Sequence, residues 1–321
     1  MSITIKRKKQ ILIMKKWVLK AIVQKIISWL PFSNKINYFF QKHITKGVTL
    51  TNELFEAKLV QAEKHLGYYR VLNINKGEVN STLELGTGWF PVIPVCMFLA
   101  GADRIITVDI SNLIKEKNLN ITIEKFIEYF SNGKLQKLFP KVILSRFELI
   151  KSTYEETKSG QQTLQKLNIQ TLICDARKLP ISESQIDLIT SNNTFEHIYP
   201  SILIDILSEF KRVSKPGGVQ SHFIDMSDHF AHLDKSITIY NFLRFSDKRW
   251  KFIDNNVQPQ NRLRISDYRK LYNELEIPIN EEEILPYDIS KLEKIKLNKK
   301  YQGISTEILA VSHAHLASLM N

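Results

Sequence analysis

The chain has 321 residues, of which 43% are hydrophobic and 24% are charged, so it can bury a large core and is neither disordered nor a multispanning membrane protein. Its net charge of +12 comes almost entirely from residues 1–50, which hold 11 Lys or Arg and no acid. The remaining 34 bases face 33 acids, which argues against a basic nucleic-acid groove across the body.

Residues 11–30 predict an amphipathic helix. Lys16, Lys20, Gln24 and Ser28 recur every four residues, and apolar side chains fill the other side. Lysines interrupt the segment too often for a transmembrane span, and no signal-peptide pattern is present. We expect the helix to pack on the body with a solvated lysine edge. A position on an anionic membrane surface, and contact with nucleic acid, are the open alternatives.

Strands and helices then alternate along the chain. After a helix at 51–69, strands are predicted at 82–86, 104–109, 170–174, 186–191 and 219–224, with helical patterns at 92–100, within 111–167 and at 200–214. The sequence KPGG at 215–218 predicts a helix end. A helix at 265–277 with Ser266 as N-cap follows, and then closing strands within 281–287 and 305–315.

This order predicts an α/β fold, a Rossmann-like, mostly parallel seven-stranded sheet with helices on both faces. We assign residues 1–70 to a basic helical extension and 71–321 to the α/β domain. The segment at about 226–262 is too long for a simple connection, and we interpret it as a lid over the ligand. Cys96 and Cys174 have no C-x-x-C partner, so we expect buried thiols in a cytoplasmic protein.

The stretch STLELGTGWF at 81–90 ends a predicted strand in two glycines, Gly86 and Gly88. The third glycine of a dinucleotide fingerprint is replaced by Pro91, and no phosphate-loop pattern is present. Asp109 ends the next strand 21 residues beyond Gly88, where an acid can accept hydrogen bonds from a ribose diol. With Asp175 after the third strand, the pattern predicts a nucleoside site, with a tight turn that holds no ligand as the alternative.

Four segments in this order, LELGTGWFPVIPV, VDIS, CDARKLPISESQIDLITSNNTFEHI and FKRVSKPGG, resemble the small-molecule branch of the class I S-adenosylmethionine-dependent methyltransferases over about residues 80–225. The resemblance implies S-adenosylmethionine as cofactor and a site of Glu84, Gly86, Gly88, Asp109, Asp175, Ala176 and Asn192. By that resemblance the first three line the methionine moiety, Asp109 holds the ribose, and Asp175 with Ala176 meets the adenine. Asn192 borders the methyl-transfer site, and Asp187 supports a strand start.

Two histidine settings are candidates for catalysis. Some relatives bind a divalent metal through E-x-x-E-H after the fourth strand; here Asn193 takes the first position, so we predict no metal and a helix-start or substrate role for Glu196 and His197. The second setting, SHFIDMSDHFAHLDKS at 221–236, follows the fifth strand. We favour His229 as general base, oriented by Asp225 or Asp228, while a metal site or a polar loop remain alternatives.

The lid also holds a pair of arginines and a set of aromatic residues. Arg262 and Arg264 form a pair that could grip a carboxylate or phosphate on the acceptor, although surface ion pairing fits equally well. The aromatic residues of the segment are predicted to form the core of the lid: Phe230, Tyr240, Phe242, Phe245, Trp250 and Phe252.

The expected activity is methyl transfer from S-adenosylmethionine to oxygen on a small molecule or glycan. Ser191-Asn192-Asn193-Thr194 replaces the N-P-P-[YF] signature of many nucleic-acid amino-group methyltransferases, which disfavours a base as acceptor. Methylation of RNA or another nucleic acid remains the first alternative. The second is a non-catalytic adaptor that contacts the membrane peripherally through residues 1–50.

Overall fold

The computed structural model describes residues 15–29, 49–73, 77–256, 258–285 and 288–321. Its strands are β1 (Ser81–Leu85), β2 (Arg104–Asp109), β3 (Ile169–Ile173), β4 (Ile186–Asn192), β5 (Ser214–Asp225), β6 (Glu281–Ile284) and β7 (His313–Leu319). They form one seven-stranded sheet in the order β3-β2-β1-β4-β5-β7-β6. The first five strands run parallel, and β7 runs antiparallel to both its neighbours. The predicted fold class is confirmed.

The helices connect and cover these strands. They are α1 (Lys16–Trp29), α2 (Asn52–Leu72), α3 (Val92–Leu99), α4 (Glu116–Ser131), α5 (Lys134–Leu138), α6 (Leu144–Thr157), α7 (Gly160–Lys166), α8 (Pro200–Val213), α9 (Phe230–Leu233), α10 (Asp247–Ile253), α11 (Ile265–Glu274), α12 (Ile289–Glu293) and α13 (Thr306–Ala310). Short 3₁₀ turns lie at Phe195–His197, Asn241–Arg244 and Lys299–Tyr301. The long segment between β2 and β3 therefore holds α4 to α7, as its length predicts.

Two hydrophobic clusters cover the two faces of the sheet. Helices α2 to α7 supply one of them, with Phe55, Phe126 and Phe147 among its fully buried members. Helices α8 and α11 supply the other, with Phe210 and Tyr268. All five residues of β1 are buried, which is typical of a central parallel strand covered on both sides.

Several element ends differ from the predictions. Helix α8 ends at Val213, so KPGG lies inside β5, where the pairing with β4 shifts register. Helix α11 begins at Ile265 and its N-cap is Arg264 rather than Ser266. The segment 305–315 is strand only from His313, because Ser305 caps the short helix α13. Within the predicted strand 281–287, β6 ends at Ile284 and residues 286–287 lie outside the described ranges.

Asp187 fastens the start of β4 to its neighbours, as predicted. Its carboxylate accepts hydrogen bonds from the Ser81 amide at 2.8 Å and from the Ser81 hydroxyl at 2.7 Å. Lys215 Nζ lies 2.8 Å from the other oxygen. Both cysteines are free thiols, but Cys174 is only half-buried, so the prediction of buried thiols holds for Cys96 alone.

The lid is built around its aromatic residues. Phe230, Tyr240, Phe242 and Trp250 are buried in a third cluster, and Phe245 packs against it. Phe252 departs from the prediction because its side chain is 74% exposed. Burial of these rings joins the segment to α1 and to residues 292–310 in a small core beside the sheet.

Both members of the arginine pair are buried and contact groups of the protein itself. Arg264 is fully buried and donates to the carbonyl oxygens of Met226 at 2.6 Å and Leu309 at 2.9 Å, and also to that of Val311. Arg262 is also buried and donates to two lid carbonyls and to Asp247. Ion pairing, the second interpretation, therefore holds for Arg262, which pairs with the exposed Asp247, but not for Arg264, which contacts backbone carbonyls. The guanidinium groups satisfy backbone carbonyls that folding of the lid removes from water.

Helix α1 confirms the central part of the predicted amphipathic helix but faces the opposite way. Gln24 is buried and donates to Gln258 at 3.0 Å, while Lys20 Nζ lies 5.5 Å from the centre of the Phe230 ring. Lys20 and Gln24 of the polar row thus face the lid, whereas Leu19, Ile22, Ile26 and Trp29 face outward. Residues 11–14 and 30 of the prediction lie outside the described ranges. Across those ranges, no helix is long and apolar enough to cross a membrane.

Candidate functional site

The two-glycine turn lies at the carboxyl end of β1, beside the point where strand order reverses. Gly86 and Gly88 have φ angles of 73° and 72°, which favour glycine. A Cβ on Gly86 would lie 2.4 Å from Thr194 Oγ1, so packing requires that glycine. A Cβ on Gly88 would meet nothing within 4 Å. Open space therefore adjoins the second glycine, where α/β sheets bind ligands.

Asp109 ends β2 next to this turn. Its carboxylate accepts a hydrogen bond from the Ser111 amide at 3.0 Å and another from the Gly88 amide. Burial raises the pKa of Asp109, although these hydrogen bonds act in the opposite direction. The side chain remains half-buried, so the carboxylate is held at the turn and can still meet a ligand.

Glu84 places a second carboxylate behind the turn. Its Oε2 accepts a hydrogen bond from Thr87 at 2.8 Å, while its buried Oε1 has no partner among the described residues. Burial raises the pKa of Glu84, and the positive charge of Lys58 acts in the opposite direction. A buried acceptor without a partner is costly unless a ligand supplies a donor.

Asn192, at the end of β4, is held by a histidine from α2. Its Oδ1 lies 3.1 Å from His65 Nε2, and His65 Nδ1 lies 2.8 Å from Ser221 Oγ. Because an amide oxygen only accepts, Nε2 carries the proton and Nδ1 accepts from Ser221. Ser221 in turn contacts His315 Nε2 at 2.8 Å. Nothing in the sequence indicated this network, since His65 and Ser221 are 156 residues apart.

The buried His65 predicts that acid weakens the fold. Burial lowers its pKa from 6.5 to about 4, so between these values the unfolded chain binds a proton that the folded chain does not. Stability should therefore fall as pH drops through this window, by about 1.4 kcal/mol per pH unit for one proton. His65→Gln should reduce that slope in urea unfolding between pH 4.5 and 7. An unchanged slope would show that other groups control acid sensitivity.

The predicted adenine residues lie after β3. Asp175 forms an ion pair with Arg177, with 2.6 Å between Oδ2 and the guanidinium nitrogen, and it is half-exposed. Hydrogen bonds from Arg177 lower the pKa of Asp175. Ala176 is buried in the cluster beneath. The sheet edge thus brings Asp175 to the side of Asp109, and the Asp175 carboxylate already has a cationic partner.

A second cluster joins the predicted catalytic histidines. The ligating atoms of Glu196, His197 and His229 lie within 4.8 Å of one another, an arrangement that could hold a cation or share protons. Glu196 is 2% exposed and neither carboxylate oxygen has a partner among the described residues. Burial, and then the charge of Asp225, raise its pKa well above the usual value. The sequence indicated a helix-start or substrate role for Glu196 and did not show that its carboxylate is buried without a partner.

His197 and His229 differ in their surroundings. His197 Nδ1 lies 2.7 Å from the Pro259 carbonyl, which only accepts, so Nδ1 carries the proton and Nε2 has a free lone pair. Burial lowers the pKa of His197 to about 4. His229 Nε2 lies 3.3 Å from Asp225 Oδ2. The two imidazole rings are 4.9 Å apart between centroids.

Asp225, rather than Asp228, is the acid beside His229. Burial would raise the pKa of Asp225, but His229 and His313, whose Nε2 atoms lie 3.3 Å and 3.4 Å from its oxygens, outweigh burial and hold the pKa well below the usual range. Asp228 instead accepts from the Phe230 amide at 2.8 Å and from Asn241 at 3.1 Å. Its role is therefore structural, within the lid. Of the two acids that the sequence proposed for orientation, the structure brings Asp225 to the histidine.

One family model matches part of the chain. Residues 132–221 match the family described as a methyltransferase domain, a range that contains Asp175, Asn192 and the Glu196-His197 pair. Among curated proteins, none matches the chain.

Similar solved structures include the PH0226 protein from Pyrococcus horikoshii OT3, at 13% identity over 88% of this chain and 98% of that chain, with a TM-score of 0.48. Magnesium protoporphyrin IX methyltransferase from Synechocystis PCC 6803, with bound SAH, is 9% identical over 90% and 99%, with a TM-score of 0.45. An S-adenosylmethionine-dependent methyltransferase from Clostridium acetobutylicum ATCC 824 is 13% identical over 90% and 98%, with a TM-score of 0.44.

The family match coincides with a parallel sheet whose strand order reverses beside a two-glycine turn and whose second strand ends in an acid. Over residues 132–221 the chain is similar to the methyltransferase domain family.

Proposed function

We propose that the protein transfers a methyl group from S-adenosylmethionine to a hydroxyl oxygen on a small molecule or glycan. The main support for the proposal is the position of His229. At the carboxyl end of β5, its Nε2 lies 3.3 Å from Asp225 Oδ2. A hydroxyl must lose its proton as the new bond to carbon forms, and an imidazole beside a carboxylate suits that task. An acceptor that is already a strong nucleophile would not need such a pair.

The residues around the glycine turn fit the cofactor. Open space adjoins Gly88, Asp109 offers an acceptor for a ribose diol, and Glu84 Oε1 is a buried acceptor that suits an amino group. S-adenosylmethionine, when bound, supplies a methyl group that its sulfonium already activates. The protein's task is to align the donor with the acceptor and to remove the proton.

The two histidines suit different roles. Asp225 stays ionised at neutral pH because His229 and His313 hold its pKa low, so it stabilises the positive charge that His229 gains on accepting a proton. His197, with a pKa of about 4, is a weak base, and its free Nε2 is better suited to accept a hydrogen bond from the acceptor. Burial raises the pKa of Glu196 well above its usual value, which favours the protonated form that can donate a hydrogen bond.

The alternatives have less support. Nearly balanced charge over residues 51–321 gives the body little electrostatic attraction for RNA. A non-catalytic adaptor would have no use for the buried, unpartnered polar atoms of Glu84 and Glu196. Such atoms lower stability and persist where a ligand or a reaction uses them.

Cofactor binding tests the proposal directly. S-adenosylmethionine or S-adenosylhomocysteine at 100 times its dissociation constant should stabilise the protein by about 2.7 kcal/mol and raise its melting temperature. NAD is the matched control, because it also carries an adenosine but needs the fingerprint that Pro91 interrupts. Stabilisation by NAD without stabilisation by either sulfur compound would contradict the proposed function.

A further inference from the structure

Helix α1 exposes a continuous apolar row. Leu19, Ile22, Ile26 and Trp29 are each between 44% and 73% exposed. Their spacing of three, four and three residues puts them on one side of the helix. The opposite side, with Ala21, Gln24 and Ile27, is buried. We call the four exposed residues the apolar row.

Contacts on the inner side hold the helix in this orientation. The Trp17 amide donates to Asp234 Oδ2 at 3.1 Å at one end. Near the other end, Lys25 Nζ donates to the carbonyl oxygens of Lys251 at 3.1 Å and Asp254 at 2.6 Å. Turning the apolar row inward would break these bonds and expose the buried side. The row therefore faces outward because of the fold, and water is a poor partner for it.

The charge of this part of the sequence, together with the bases described beside the row, indicates what covers it. Residues 1–50 carry 11 bases and no acid, and Lys15 and Lys16 are exposed at the start of the helix. Helix α10, bound through Lys25, adds exposed bases and the exposed ring of Phe252. Apolar side chains beside lysines are the pattern of a helix that lies in the surface of an anionic bilayer.

A second copy of the chain fits this surface less well. Pairing two such rows would bring two strongly basic segments together, and their repulsion would oppose association. Phosphate groups of a bilayer neutralise the same charges. Nucleic acid would neutralise the bases but would leave the apolar row without a partner.

We propose that α1 docks the protein on an anionic membrane surface, with the apolar row inserted among the acyl chains and the neighbouring lysines at the headgroups. The insertion of four apolar side chains supplies the part of the binding that salt does not weaken. The lysines supply the part that salt screens. This docking does not depend on the identity of the methyl acceptor.

Vesicle flotation of the full chain tests the proposal. Wild-type protein should bind vesicles of phosphatidylcholine with phosphatidylglycerol, more weakly in high salt and more weakly still without phosphatidylglycerol. The triple variant Leu19→Gln, Ile22→Gln, Ile26→Gln should reduce the partition coefficient by about tenfold or more, since each change removes buried apolar area. The matched control is Val71→Gln with Leu144→Gln, which alters side chains that are 72% and 59% exposed elsewhere.

Melting temperature and S-adenosylhomocysteine binding of the variants check that they fold, because the changed positions are exposed. Equal vesicle binding by wild type and the triple variant would overturn the proposal, as would no binding by wild type. A lipid-free dimer in light scattering that the triple variant dissociates would also overturn it, because a second copy would then cover the row. The vesicle result stands whether or not the cofactor binds.

Discussion

Replacing His229 with alanine should leave cofactor affinity unchanged and lower the rate of methyl transfer by about 10²–10⁴-fold, the usual contribution of a positioned base. The reason is that His229 lies 3.3 Å from Asp225, which can stabilise the imidazolium formed when the acceptor hydroxyl loses its proton. Single-turnover methyl transfer isolates this step from product release. Binding of S-adenosylhomocysteine to the variant, by calorimetry, measures cofactor affinity separately.

His232→Ala is the matched control, because His232 is exposed and its ring stacks 5.4 Å from that of His229. It should stay within about threefold of wild type, far from the loss of a base. His197→Ala should be milder than His229→Ala. Elemental analysis of the purified protein should find no stoichiometric metal; a metal would make Glu196, His197 and His229 the candidate ligands and would change this ranking. If the His229→Ala variant transfers the methyl group at a rate within threefold of wild type, His229 is not the general base.

Asp109→Ala should weaken binding of S-adenosylhomocysteine by about 1.5–3 kcal/mol, or roughly 10- to 150-fold. Asp109 is the acid at the end of β2, held against the Gly88 amide, and its charged oxygens can accept from a ribose diol. Isothermal calorimetry measures the change. Asp109→Asn should lose less, since its amide oxygen still accepts one hydrogen bond without the charge.

Asp103→Ala is the control for Asp109, because Asp103 precedes the opposite end of β2 and is paired with Arg146 at the surface. The affinity of the Asp103→Ala variant for S-adenosylhomocysteine should match that of wild type. Equal affinity of the Asp109→Ala variant and wild type would mean that another group holds the ribose, and the cofactor pose would need revision. Loss in both variants would point to a general weakening of the sheet.

Sequence patterns predicted the sheet well because they report local properties. The strand at 104–109 coincides with β2, and β1, β3 and β4 lie within one residue of their predicted bounds. Apolar runs of strand length separated by helical periods are sufficient for this. An acid directly after a strand lies at the carboxyl edge of a parallel sheet in any packing, so Asp109 could be placed beside the glycine turn from its spacing alone.

Tertiary structure alone decided which side chains meet. Periodicity shows that Lys20 and Gln24 share one side of α1, but only the lid shows that this side faces inward and the apolar row outward. The sequence offered Asp225 and Asp228 equally as partners of His229, and the path of the chain after β5 chose Asp225. The same holds for Arg264. The sequence suggested an acceptor contact or a surface ion pair, whereas the fold buries its guanidinium among backbone carbonyls. Spacing along a chain determines which residues share an element, whereas burial and distance depend on surfaces that remote segments bring together.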